Sequence, residues 1–194
     1  MNWPGLAFLK CGQAVDILPV QTPSDEKCTL LICGIRPVKD PLMAVRGWEQ
    51  ANVSGKLKVI GPIIDVEYGS ELQQAIKGTD SIEHIPYMEH ADLMTELSRA
   101  YSTINSSLSE GQSAAVLESM AAGVPVIARD IPGNAIVTDD CGLKFENVDE
   151  LAKRIQTLYH DGELRQLLGN NAREYIKKHH ALEIERDFYR KLFS

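Results

Sequence analysis

A chain of 194 residues, 44% hydrophobic and 24% charged, is long enough for one domain with a buried core and excludes disordered and fibrous classes. Twenty Lys and Arg against 27 Asp and Glu leave a formal charge of −7, which argues against nucleic acid as a partner, since that task needs a net basic face. A phosphorylated ligand stays compatible, provided the few cations are concentrated locally.

Residues 1–28, with Pro4, Gly5, Pro19 and Pro23, read as a linker or incoming arm, and the domain is expected over 29–194. No basic segment precedes the short apolar patch near the start, so a secretory signal is not supported. No apolar run approaches the ~20 residues of a membrane helix. Cys11, Cys28, Cys33 and Cys141 are dispersed, as expected of buried thiols in a reducing, cytoplasmic setting. In a strand Cys28 and Cys33 point to opposite faces, which disfavours a shared metal or disulfide. Of two glycosylation triplets, at Asn52 and Asn105, the second ends a predicted buried strand, where a glycan has no room.

From residue 29 short apolar runs alternate with amphipathic stretches. Strands are predicted at 29–34, 57–61, 81–85, 101–105, 124–128 and 142–145, and helices at 40–52, 67–76, 91–99 and 113–122. Asp40 is placed as an N-cap with Pro41 at the first helical position. Gly78 and Gly123 close two of the helices, and the chain from Asp149 on reads as helical. This alternation predicts an α/β fold, a doubly wound parallel sheet covered by helices.

In such sheets ligands bind beyond the carboxyl ends of the strands. After the first strand, Gly34-Ile-Arg-Pro-Val-Lys-Asp40 sets Arg36 and Lys39 just before a helix. After the fourth, Ser106-Ser-Leu-Ser-Glu-Gly-Gln-Ser113 again precedes a helix, with Gly111 allowing close approach. Helix N-termini carry about half a positive charge and free N–H donors, which suits phosphate. The two loops read as a diphosphate cradle; the alternative is a solvated surface pair of cations. Glu110 and Glu118 flank the same helix start, separated by about 12 Å if the helix were continuous. Glu118, in an apolar segment, either faces water or meets hydroxyl partners such as a ribose diol.

Other signatures are missing: no G-x-G-x-x-G, phosphate-binding G-x-x-x-x-G-K loop, H-E-x-x-H, paired C-x-x-C or nucleophile elbow occurs. His84, His90, His179 and His180 read as surface histidines.

The segment SLSEGQSAAVLESMAAGVPVIARDIPGN, with its two Glu residues at 110 and 118 ahead of Gly123-Val-Pro-Val-Ile-Ala128, closely resembles the signature of group 1 (family 4) glycosyltransferases of the GT-B fold. GIRPVKDP resembles that family's basic loop, and Val59–Pro62 its second-strand ending. The resemblance implies a nucleotide-sugar-binding, Rossmann-like half of a retaining, metal-independent hexosyltransferase, with no cofactor beyond the donor itself. It implies that Glu118 receives the ribose hydroxyls and that Glu110 faces the donor sugar. Amides of Gly111, Gln112 and Ser113 would meet the sugar and distal phosphate, near Gly34. Arg36 and Lys39 would neutralise the leaving diphosphate. The family usually separates its Arg and Lys by four residues, whereas only Pro37 and Val38 intervene here. Gln112 and Ser113 replace the frequent aromatic-Gly.

A GT-B enzyme carries its acceptor on an N-terminal domain, so this domain alone is expected to be incomplete, its partner supplied in cis or in trans. An alternative reading makes the chain a non-catalytic assembly module that self-associates through the face turned to the absent domain. Another is a different GT-B enzyme, such as a nucleotide-sugar epimerase or a phosphorylase.

Overall fold

Strand β1 (Cys28–Ile32) opens a run of alternating strands and helices in the computed structural model, which describes residues 13–17 and 27–193. It is followed by α1 (Pro41–Ala51), β2 (Lys56–Ile60), α2 (Val66–Ile76), β3 (Ile82–Ile85), α3 (His90–Ser98), β4 (Ser102–Asn105), α4 (Ala114–Ala122), β5 (Val126–Arg129) and β6 (Gly142–Phe145). Three helices close the chain: α5 (Val148–His160), α6 (Gly162–His179) and α7 (Leu182–Leu192). Most of the expected linker over 1–28, including Cys11, lies outside the described residues.

The six strands form one sheet in the order β3-β2-β1-β4-β5-β6, and every pairing is parallel. Strand order reverses between β1 and β4, where Thr29 stands opposite Ser102 and Leu30 opposite Thr103. A sheet that grows outward in both directions from such a pair leaves a crevice at its carboxyl end. The loops after β1 and β4 both start there.

Both faces of the sheet are covered, which explains why β1 is an almost unbroken apolar run. On one face Trp48 of α1 and Leu151, Ile155 and Leu158 of α5 pack with Leu31, Leu57, Val59 and Phe145. Fully burying a side chain such as Phe145 is worth about 2–3 kcal/mol. On the other face α4 inserts Val116, Leu117, Met120 and Ala121 against Val126, Ala128 and, from α6, Ala172 and Ile176. Helix α3 completes that face through Leu97, packed with Leu30, Ile60 and Val124.

Element ends differ from the sequence expectation by one or two residues. Strand β1 stops at Ile32, so Cys33 and Gly34, expected within the strand, belong to the loop. Asp40 does precede α1, but it adopts left-handed φ 45° and its side chain caps nothing. By contrast Asp65, Asn147 and Asp161 cap α2, α5 and α6 through side-chain bonds to Tyr68, Glu150 and Leu164 amides. Gly123 ends α4 at φ 75° and Gly78 follows α2 at φ 85°, conformations in which glycine is unstrained.

Two histidines correct the expectation of surface positions. His180 is buried and its Nδ1 pairs with the Gln13 carbonyl at 2.9 Å, while the Val15 N–H donates to the His180 carbonyl, fastening residues 13–17 to the end of α6. His84 is held at both ring nitrogens, by the Gln73 amide group at 2.7 Å and the Gly61 carbonyl at 2.9 Å. Among the described residues no helix is long and apolar enough to cross a membrane.

Candidate functional site: the crevice between β1 and β4

The loop after β1 folds into a short 3-10 turn at Pro37–Lys39. Pro37 fixes its own backbone and Lys39 ends the turn, so the lysine is thrown toward the neighbouring loop. The Leu108 N–H donates to the Val38 carbonyl at 2.8 Å and Ser106 Oγ to the Lys39 carbonyl at 2.9 Å, joining the two loops along their backbones. Lys39 Nζ then reaches Glu110 Oε1 at 2.6 Å.

Glu110 is nearly enclosed, with 8% of its side chain exposed. Burial alone would raise its pKa. Hydrogen bonds from Lys39 and Ser107, the Lys39 charge and a bond from Asn105 outweigh that and hold the carboxyl below its ordinary value. Ser107 Oγ lies 2.7 Å and Asn105 Nδ2 3.4 Å from the same Oε1. Among the described residues none donates to Oε2. Gly133 packs against the Glu110 backbone: a Cβ there would sit 2.3 Å from the Glu110 carbonyl oxygen.

Beyond Glu110, Gly111 and Gln112 are exposed, and nothing lies within 4 Å of where a Gly111 Cβ would be. Ser113 takes the N-cap position of α4 without capping it. Its hydroxyl instead accepts from Asn105 Nδ2 at 3.2 Å, so among the described residues the first amides of α4 have no side-chain acceptor. A helix start of that kind attracts anions. Gln112 Oε1 is met by the Gln13 N–H at 3.4 Å, so the 13–17 segment borders the loop.

Arg36 is exposed on the same loop as Lys39 and takes part in no ion pair among the described residues. Its charge and those of Lys39 and Glu110 all act on the Cys33 thiol, which burial pushes up to about 12. That thiol is protonated at neutral pH and is no nucleophile. Gly34 packs against Ile64, whose Cγ1 would lie 2.9 Å from a Cβ at that position.

Glu118, about one turn into α4, lines a cavity of about 350 Å³ with His90, Met94, Leu182 and residues 13–16. Burial raises its carboxyl above the ordinary value, and the His90 charge acts the other way. The larger cavity, about 740 Å³, runs along α2 and the outer edge at β3, lined by Ile63, Gln73 and His84, and holds neither Lys39 nor Glu110. Chemistry, not volume, singles out the crevice.

The structure thus brings Lys39, Glu110, Gly111, Ser113 and the start of α4 together, sets Arg36 and Gly34 at the rim beside Cys33, and places Glu118 in an adjoining cavity. Sequence reading missed Ser107, Asn105, Asn134 and Arg129, which form the polar floor. Asn134 Nδ2 donates to Asn105 Oδ1 and to the Arg129 carbonyl, both at 3.0 Å. Their signal was faint: a polar residue closing each of two buried strands at the ligand-binding end.

The model of the family described as Glycosyl transferases group 1 matches residues 13–175. The chain belongs to the group 1 glycosyltransferases. This group 1 chain is 38% identical over 168 residues to glycosyltransferase 1 domain-containing protein 1 of Xenopus tropicalis, a match covering 84% of the chain and 49% of that relative. It therefore spans about half the length of the curated relative it matches.

Among solved structures it is similar to a TarM variant of S. aureus in complex with fondaparinux, alpha-GlcNAc-glycerol and UDP, with TM-score 0.84 and 20% identity over 99% of this chain and 40% of that one. It is also similar to HepE of Anabaena in complex with UDP and glucose, with TM-score 0.80 and 18% identity over 88% of this chain and 49% of that one. At those identities the likeness is one of fold, a Rossmann-like half of the GT-B architecture.

Proposed function

We propose that this group 1 domain binds the nucleotide diphosphate of a sugar donor in the β1/β4 crevice, and that it is the donor half of a retaining glycosyltransferase. The observation that carries the reading is the 2.6 Å Lys39–Glu110 contact beside the uncapped start of α4. It gathers a cation, a carboxylate and free amides at one opening. TarM and HepE were solved with UDP, and the shared fold makes a uridine nucleotide the first ligand to test.

Each group then has a chemical task. An ammonium carries three N–H donors, and Glu110 takes one of those of Lys39. The others are available to the distal phosphate, with Arg36 supplying a second cation from the rim. Negative charge develops on the diphosphate as the sugar departs, and preorganised cations and amides lower that barrier most. Gly111 lets the phosphate approach the backbone, followed by the amides of Gln112 and Ser113. Glu110 Oε2 faces the sugar and accepts from a hydroxyl, while Glu118 accepts from the ribose diol. Departing phosphate would serve as base for a front-face attack that retains configuration.

Exposed Ile64, Tyr87 and Leu108 stand on loops at the carboxyl end of the sheet, and exposed Val66 opens α2 beside them. They fit a second domain closing the crevice and excluding water, in cis or in trans. Without it, binding should persist and turnover should be slight. The dispersed thiols Cys28, Cys33 and Cys141 suit a reducing compartment.

Calorimetry of the chain with UDP, GDP and ADP tests the reading. Binding of one of them, weakened at least tenfold by Glu118→Ala, is the expected result. No binding by any of the three, or no loss in the variant, refutes it.

A further inference from the structure

Asp40 and Arg129 have no part in the ligand contacts above, yet they bracket Lys39. Asp40 sits at φ 45°, ψ 51°, a left-handed conformation that disfavours side chains. As the residue before α1 it would ordinarily cap the first-turn amides, and it does not. Its carboxylate turns the other way. Oδ2 meets Arg129 Nη2 at 2.5 Å and Oδ1 accepts from the Tyr68 hydroxyl at 3.3 Å.

Arg129 ends β5, two strands from β1, with 12% of its side chain exposed. Its Nε donates to the Ser106 carbonyl at 2.9 Å, and its own carbonyl is held by Asn134 Nδ2. Ser106 in turn donates from Oγ to the Lys39 carbonyl. The bonds close a ring: Asp40 to Arg129, Arg129 to Ser106, Ser106 to Lys39, and Lys39 back to Asp40 through the peptide bond.

We propose that Asp40 and Arg129 form a clamp that locks the loop after β1 onto the loop after β4 and so aims Lys39 at Glu110, making both of them positioning residues for the diphosphate site. The role in ligand binding rests on the donor-site reading above; the geometric role does not. A guanidinium suits it, because its rigid fork serves a carboxylate and a carbonyl at once. A lysine at position 129 could reach one of the two. The left-handed backbone at Asp40 is what directs the carboxylate away from α1 and toward β5.

Two measurements on the full chain test the clamp, using Asp40→Asn and Arg129→Met against wild type and Lys39→Met. The first needs no ligand: the Glu110 carboxyl is titrated by carbon NMR. Lys39, Ser107, Asn105 and Cys33 face that carboxyl. Lys39→Met raises its midpoint, and each clamp variant reproduces most of that rise although neither residue touches Glu110. The second is calorimetry with UDP and UMP. The preference for UDP falls about tenfold in each clamp variant and no further in the double variant, as expected for one coupled unit.

Thermal melting controls for folding. Should Arg129→Met fail to fold, Asp40→Asn and Asp40→Gly carry the test, glycine being at ease in the left-handed region. An unchanged Glu110 midpoint in folded variants overturns the clamp. A shifted midpoint with an unchanged UDP-to-UMP ratio overturns the role in ligand binding. Absence of UDP binding by wild type overturns the donor-site reading, and the titration still decides the clamp.

Discussion

Lys39 Nζ and Glu110 Oε1 lie 2.6 Å apart across 71 residues of sequence. The contact exists because β1 and β4 are neighbours at the point where strand order reverses, so that their following loops leave the sheet side by side. Removing the lysine leaves a nearly enclosed carboxylate without its cation, a costly state. Lys39→Met should lower stability by about 1–3 kcal/mol in urea unfolding at neutral pH and reduce UDP affinity by more than tenfold.

The same pair predicts an acid limb. Glu110 has a folded pKa below its unfolded value of 4.5, so its contribution is fully present above 4.5 and is lost as pH falls through the folded value. Urea midpoints measured downward from pH ~5 should drop in wild type and drop less steeply in Glu110→Gln.

Glu118 carries the opposite sign. Burial raises its folded pKa above 4.5, so the folded state binds the proton more tightly. That contribution is present below 4.5 and disappears as pH rises through the folded value. At pH ~7 Glu118→Gln should therefore be more stable than wild type while losing about tenfold in UDP affinity, a gain in stability set against a loss of binding.

Two glycines separate architecture from ligand contact. Gly133→Ala forces a Cβ to within 2.3 Å of the Glu110 carbonyl and should cost about 1–3 kcal/mol, with UDP affinity falling in parallel. Gly111→Ala meets nothing within 4 Å and should leave stability within about 0.5 kcal/mol of wild type. If a phosphate approaches this backbone as proposed, UDP affinity falls about tenfold all the same. Melting curves and calorimetry on the two variants read both effects.

Local chemistry made the alternation of strands and helices legible. β1 and β5 are short apolar runs, Gly123 announces the end of α4, and the helical tail is periodic. The two crevice loops were legible for the same reason, because cations or glycine just before a helix have few structural uses. What the sequence concealed depends on side-chain direction. Asp40 has the identity and position of a cap, and its left-handed backbone sends it elsewhere. Arg129 ends an apolar strand like any solvent-facing charge, and its bond to Asp40 spans 89 positions. His180 looks like one more polar residue of a charged terminal helix until the 13–17 segment folds over it. Contacts between residues far apart in sequence leave no periodic trace.

Amide chemical-shift mapping of the isotopically labelled chain during UDP titration bears most directly on the shared crevice. The account predicts saturable shifts at residues 34–39 and 110–114 together, extending along α4 to Glu118, with one common dissociation constant. Shifts gathered instead around Gln73 and His84 in the α2–β3 cavity, or confined to one of the two loops, would contradict it.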